Sequence, residues 1–297
     1  MLASPLFTGC ATALITPFLP DQSLDLSALC RLIDIQINAG IDAIVLLGTT
    51  GEPCTLTMDE REAVIHAGVT AAKGRIPVIV GTGSNDTRRA IDYALQAKRL
   101  SAAGQLCVTP YYNKTTQAGL IRHYNAIMDA SDLPTILYNV PSRTGMTIAP
   151  ETAAALASHP HAAGLKEASG SIELITDILH ATGGQLPIYS GNDDTIVPMM
   201  SMGAAGVISV CSNILPMQTR AIAHASLYGC YAEARKTQML LLPLIRLLFS
   251  QVSPIPLKAA LSMMGIIHDV LRPPLTTMEG TDRIKLREKL QEMKLIS

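Results

Sequence analysis

Lys166 lies in the run Ala162-Ala-Gly-Leu-Lys-Glu-Ala-Ser169, otherwise mostly small and apolar, which reads as a strand made for burial. Desolvation there disfavours the ammonium ion and frees the amine lone pair to attack a carbonyl carbon. Tyr138 precedes it by the length of one strand-helix unit, in Pro134-Thr-Ile-Leu-Tyr-Asn-Val-Pro-Ser-Arg-Thr-Gly145. If the two strands are neighbours in a parallel sheet, an amine and a phenol emerge side by side. That pair is the minimum equipment for imine chemistry with a proton shuttle. Each residue also has a plainer reading. Lys166 could pair with Glu167, although adjacent strand residues face opposite sides. Tyr138 alone is more often a core tyrosine with a satisfied hydroxyl.

Such a pair needs a scaffold that brings strand ends together. Short apolar runs begin near Cys10, Ala43, Pro77, Gln105, Pro134, Ala163, Leu186 and Ala205. They are continuous, as in Ala43-Ile-Val-Leu-Leu47, and continuous runs belong to parallel strands covered on both faces. The segments between them carry helix punctuation. Thr57-Met-Asp-Glu60 is a capping box, and Gly40, Gly74, Gly104 and Gly183 follow helical patterns as stop residues. This repetition predicts an α/β fold, a (β/α)8 TIM barrel. A doubly wound open sheet is the alternative. It usually has fewer strands and a G-x-G-x-x-G turn after the first, and that turn is missing here. After about Leu215 the pattern is helical only and exceeds the one helix that closes a barrel. Residues 1–225 are therefore expected to form the barrel, and 226–297 a C-terminal helical extension packed on it or on a second subunit.

Chemistry in such a barrel gathers at the C-terminal ends of the strands. Gly48-Thr-Thr-Gly-Glu52 offers backbone amides and two hydroxyls suited to a carboxylate or phosphate, or is only a tight turn. Gly81-Thr-Gly83 is a weaker signal. Strand four ends in Thr109-Pro-Tyr-Tyr112. Strand five ends in Tyr138-Asn139, with Arg143 just beyond, where a guanidinium fork could grip a carboxylate. Strand seven ends in Ser190-Gly-Asn-Asp-Asp194 and strand eight in Ile208-Ser209. The two aspartates would repel a phosphate dianion at the place where barrels usually bind one, and are expected to cap the next helix instead. A carboxylate substrate follows.

The totals narrow the partners. A chain of 297 residues suits one barrel, and 48% hydrophobic content can fill its core. A net charge of −1 lacks the basic face that nucleic acid or an anionic membrane would want. Cysteines 10, 30, 54, 107, 211 and 230 have no paired spacing and read as reduced thiols in a cytoplasmic protein. No His, Cys and carboxylate cluster has metal spacing, His159-Pro-His161 reads as a solvated loop, and no metal is expected. Met1 to Phe7 has no positive charge before its apolar residues and is not expected to be a secretory signal. The run from Met239 to Phe249, broken by Pro243 and Arg246, is expected to be a buried helix.

Together the motifs resemble those of a known family. Gly48-Thr-Thr-Gly-Glu52, Val108-Thr-Pro-Tyr-Tyr-Asn113, Tyr138-Asn-Val-Pro-Ser-Arg-Thr-Gly145, Gly164-Leu-Lys-Glu-Ala168 and Gly206-Val-Ile-Ser209 are similar to the dihydrodipicolinate synthase family. That family sits in the pyruvate-dependent class I aldolase superfamily with N-acetylneuraminate lyase. The resemblance runs from Phe7 to beyond Leu275, and the segment from Tyr138 to Gly145 is its most specific part. It implies condensation of pyruvate with L-aspartate 4-semialdehyde to 4-hydroxy-tetrahydrodipicolinate, in lysine and diaminopimelate biosynthesis. Lys166 would form the imine. Tyr138 would be the acid/base, relaying protons through Thr49 and through Tyr112 of a neighbouring subunit. Thr50 would hold the pyruvate carboxylate and Arg143 that of the semialdehyde, with Gly48, Gly191 and Ile208 lining the pocket. The resemblance implies no cofactor beyond the covalent imine, and a homotetramer built as a dimer of dimers. Other pyruvate aldolases of the superfamily, acting on sugar acids or 4-hydroxy-2-oxoglutarate, are the alternative. A non-catalytic sensor on the same barrel would be expected to have lost Lys166 or Tyr138.

Feedback-sensitive members of the family bind L-lysine at the dimer interface through a glutamate and histidines. Asn85 and Tyr111 match that site. Arg89 stands where the glutamate belongs, Arg61 where a histidine belongs and Met58 where another can be. A cationic ligand would meet arginine, so insensitivity to lysine is expected.

Overall fold

In the computed structural model, which describes residues 5–297, parallel strands close into a barrel in chain order. They are β1 Gly9–Ala13, β2 Ala43–Leu46, β3 Val78–Gly81, β4 Gly104–Val108, β5 Thr135–Asn139, β6 Ala162–Glu167, β7 Ile188–Ser190 and β8 Gly206–Ser209. Each starts within about two residues of its apolar run. Nearly every strand residue is buried, because helices cover the outside and side chains fill the inside. The early sequence expectation about Met1 to Phe7 rests in part on residues 1–4, which lie outside the described residues.

The helices are α1 Leu26–Asn38, α2 Met58–Ala72, α3 Thr87–Arg99, α4 Gln117–Ser131, α5 Pro141–Thr144, α6 Pro150–Ala157, α7 Ile172–Thr182, α8 Ile196–Ser201 and α9 Pro216–Leu227. The capping box at Thr57 and Glu60 is formed in both directions and starts α2. Gly183 ends α7 in the left-handed conformation. Gly104 does not stop a helix. It is the first residue of β4, where a Cβ would come within 2.8 Å of the Pro134 carbonyl, and the turn after α3 falls on Ser101 at φ 62°. Close strand approach, not helix termination, explains that glycine.

The barrel interior holds Ala11, Val45, Ile79, Leu106, Ile136 and Ile208 among others. Phe7 stacks on Tyr189 at 4.4 Å beneath them, and the Tyr189 hydroxyl donates to the Phe7 carbonyl at 2.8 Å. Past α9 the chain is helical, as α10 Tyr231–Leu248, α11 Ile255–Met263 and α12 Gly280–Glu292. The helix closing the barrel thus runs two residues past position 225 before Gly229 turns at φ 75°. Among the described residues no helix is long and apolar enough to cross a membrane. The Met239 to Phe249 run falls in α10 and its C-cap, whose buried face includes Leu241, Leu244 and Leu248.

Candidate active site

The β5–β6 register pairs Tyr138 with Lys166 and Asn139 with Glu167. Gly164 makes that register possible. The ladder skips Ala163, and Gly164 passes through φ 155°, where a Cβ would lie 2.8 Å from both the Pro187 carbonyl and the Tyr189 ring. Only glycine fits such a bulge. Beyond it Leu165 joins the outer core, as Leu137 does on β5, while Ile136 and Tyr138 join the interior. Lys166 alternates with Leu165 and so emerges on the interior side beside Tyr138.

Lys166 is 5% exposed, with Nζ 4.5 Å from the centroid of the Tyr138 ring. Among the described residues its amine has no carboxylate within ion-pair distance and no hydrogen-bond partner, and the Tyr138 hydroxyl has no partner either. Glu167 does not pair with it. That carboxylate accepts from Asn139 Nδ2 at 2.7 Å and the Ser169 amide at 2.5 Å. Burial pushes Glu167 above the usual carboxylate range, against the pull of those hydrogen bonds.

A cavity of about 150 Å³ reaches the amine, with Thr49, Thr50, Tyr138, Arg143 and Gly191 in its wall. A second, of about 320 Å³, shares Gly48, Thr49, Tyr138 and Arg143 and extends to Tyr111 and Leu275. Gly191 leaves room for the lysine: a Cβ there would stand 3.1 Å from Lys166 Cε and 2.6 Å from Ala168 Cβ. Thr49–Gly51 forms a single 3-10 turn, after which Glu52 takes the left-handed conformation at φ 52°. Arg143 sits in the last turn of α5, exposed, with Nη2 3.5 Å from the Ser253 carbonyl. A hydroxyl pair, a guanidinium with no carboxylate partner among the described residues and an uncommitted amine-phenol pair thus surround one small space. Such a set can bind carboxylates and carry an imine through its proton transfers.

Other expected residues lie elsewhere. Ile208 is fully buried in the barrel interior and is not in the cavity wall, where Val210 stands instead. Tyr112 is 91% exposed, at φ 68°, and faces neither cavity of its own chain. Asp193 and Asp194 do not cap α8, whose N-cap is Thr195 without a side-chain bond. Asp193 Oδ2 instead accepts from the Val210 and Cys211 amides at 3.0 and 2.9 Å, tying β7's end to β8's. Burial pushes that carboxyl up.

The residues matched to a lysine site separate into two kinds. Arg61 is 1% exposed, donates to the Gly81 carbonyl at 2.8 Å and lies 3.8 Å over the Tyr93 ring. Burial lowers it to about 10. Arg89 and Met58 line an outer cleft between α2 and α3. Asn85 accepts from Asn113 through its carbonyl at 2.9 Å, and burial raises the Tyr111 phenol.

The sequence reading missed the contribution of the C-terminal extension. Phe249 and Ser253 reach the cavity around Lys166. Lys258 on α11 makes a buried ion pair with Glu52. Its position in Ile255-Pro-Leu-Lys-Ala-Ala-Leu261 is the same signal that marked Lys166, a lone lysine in an apolar run.

Known proteins resemble this chain over nearly its whole length. The Caldicellulosiruptor bescii protein named 4-hydroxy-tetrahydrodipicolinate synthase is 48% identical over 285 residues, 96% of each chain. One of the same name from Alkaliphilus oremlandii is 46% identical, covering 98% of this chain and all of its own. The solved structure of a chloride-inhibited dihydrodipicolinate synthase from Acinetobacter baumannii, complexed with pyruvate, superposes with a TM-score of 0.95 at 40% identity, covering 97% of this chain and 99% of that one. The model of the dihydrodipicolinate synthetase family matches residues 6–293, and the chain, a lyase-type enzyme on a TIM barrel, belongs to that family.

Proposed function

We propose that this enzyme condenses pyruvate with L-aspartate 4-semialdehyde to 4-hydroxy-tetrahydrodipicolinate. The observation that carries the reading is the Tyr138–Lys166 register, which sets an unpaired amine against a phenol in a small cavity. Lys166 Nζ attacks the keto carbon of pyruvate, and loss of water leaves an imine. Loss of a methyl proton gives the enamine. Its carbon attacks the semialdehyde's carbonyl carbon, and the new alkoxide takes a proton. The substrate's own amine then adds to the imine carbon and displaces Lys166, closing the ring.

Tyr138 is the acid and base of these transfers, worth about 10²- to 10⁴-fold. Thr49 relays its proton together with Tyr112 of a neighbouring copy. The exposure of Tyr112 supports a role outside its own chain. Thr50 holds the pyruvate carboxylate, Arg143 that of the semialdehyde, and Gly48 and Gly191 shape the pocket. Ile208 backs the site from the interior. No cofactor or metal enters the sequence of steps. The enzyme works in the cytoplasm as a homotetramer, with residues 1–225 as the catalytic barrel and 226–297 as the extension.

Lysine does not inhibit it. Arg89 at the outer cleft presents a cation where a cationic ligand would need an anion, and Arg61 is turned inward. Half-maximal inhibition at sub-millimolar lysine would overturn that part. The main reading is tested with purified protein by following consumption of both pyruvate and aspartate 4-semialdehyde. Consumption in equal amounts is expected. Cleavage of a keto-sugar acid with the semialdehyde left untouched would assign the chain to another aldolase.

A further inference from the structure

The loop that carries Thr49 and Thr50 ends in Glu52, and Glu52 is held from the C-terminal extension. Its carboxylate pairs with Lys258, both side chains being within 1% of fully buried, and accepts from the Arg272 amide at 3.1 Å. Lys258 also donates to the Val270 carbonyl at 2.9 Å. The Phe18 ring has Lys258 Nζ 4.1 Å and Arg272 Cζ 4.5 Å from its centroid. The Arg272 guanidinium reaches the Thr55 carbonyl at 2.8 Å, Glu60 Oε2 at 2.8 Å and the Gln22 carbonyl at 2.7 Å. On the loop's other side Thr16 Oγ1 donates to the Gly51 carbonyl at 2.7 Å.

We propose that Lys258 and Arg272 are positioning residues: through Glu52 and Thr55 they fix the turn of Thr49–Gly51, so the C-terminal extension sets the affinity for the substrate's carboxylate. This rests on the reading that Thr50 binds the pyruvate carboxylate.

Three observations favour positioning over simple stapling. Glu52 is in the left-handed conformation, which is sterically costly for a residue with a Cβ. The ion pair holds this residue, directly after the turn. A buried ion pair gives little net stability compared with apolar side chains of the same volume, and here it sits where it holds the Glu52 carboxylate together with the Arg272 amide. The extension also touches the second carboxylate site, since the Ser253 carbonyl meets Arg143. One element therefore braces both groups assigned to carboxylates.

The test uses the full chain with three variants: Lys258→Met, the charge-free pair Lys258→Met with Glu52→Gln, and Arg272→Lys. Arg272→Lys lies on the partly exposed side and keeps a cation near Phe18 while losing the fork. Folding is followed by circular dichroism, kinetics by varying pyruvate, and imine formation by borohydride trapping at saturating pyruvate. In every folded variant the KM for pyruvate is expected to rise about 5- to 20-fold, with kcat falling less than 3-fold and the label still on Lys166. A folded Lys258 variant with the wild-type KM, or a fall in kcat alone, overturns the proposal. If both Lys258 variants fail to fold, Arg272→Lys decides by the same criterion. Absence of trapping in the wild-type protein would instead strike at the imine reading itself, so the two failures are distinguishable.

Discussion

Lys166 and Lys258 are both buried, at 5% and 0% exposure, and they meet opposite surroundings. Lys258 has a carboxylate, a carbonyl and a ring face against its ammonium group. Burial pulls it down to about 8, against the opposing pull of Glu52. Lys166 has the Tyr138 ring and an open cavity beside it and, among the described residues, no hydrogen-bond or ion-pair partner. The ammonium group of Lys258 is committed to Glu52 and the Val270 carbonyl, whereas the lone pair of Lys166 can be released to a ligand. Burial alone does not mark a nucleophile. The mark is burial without a committed partner, beside a proton shuttle and a space for substrate.

The largest effects should divide the two lysines by kind. Lys166→Ala is expected to lower kcat on the order of 10⁴-fold or more, while changing folding stability by less than about 1 kcal/mol in urea titration. Lys258→Ala should do the reverse in emphasis, costing about 3–5 kcal/mol, because Glu52 is left charged and unpaired in the core. If Lys166→Ala destabilised the protein as much as Lys258→Ala, the distinction between them would fail. Next, Tyr138→Phe should slow turnover by about 10²- to 10⁴-fold, with borohydride still able to trap pyruvate on the enzyme. Unchanged steady-state kcat would remove the phenol from the mechanism.

Gly191→Ala should be milder. The new methyl would crowd Lys166 Cε and Ala168, so a cost of about 1–3 kcal/mol is expected, divided between stability and catalysis. Wild-type kinetics and melting temperature would show that the pocket is looser than its contacts suggest. The smallest effect is on acid stability. Hydrogen bonds from Arg272 draw Glu60 down from 4.5 to about 2. A carboxylate lowered in the folded state adds stability that is complete above about 4.5 and is lost as pH falls towards about 2. Glu60→Gln should remove about 1 kcal/mol of that pH dependence in denaturant titrations between those limits. An identical slope for both proteins would assign acid sensitivity to other groups.

The barrel was legible because its signals are local. A continuous apolar run fixes a parallel strand, and strand spacing fixes the order, so the eight runs anticipated all the strands among the described residues. The Lys166–Tyr138 pair was legible for the same reason, since neighbouring strands turn a sequence interval into a spatial contact. Gly104 misled because a glycine needed for strand approach has the same letter as one that ends a helix. Asp193 misled because its partners, the Val210 and Cys211 amides, lie just past the end of the next strand. Ile208 lay one alternation too deep for the cavity wall. Lys258 and Arg272 were invisible as loop braces because Glu52 is more than 200 residues away, a contact made only by the packing of α11 and the loop after it.

The central claim is that Lys166, and not its better-solvated or better-paired counterparts, captures a keto acid. The direct measurement is reduction of the intact enzyme with borohydride in the presence of pyruvate, followed by peptide mass mapping of every lysine. The account predicts a single stoichiometric adduct on Lys166, none on Lys258, and loss of activity in proportion to labelling. An unlabelled Lys166, or an adduct on another lysine that tracks the loss of activity, would contradict it.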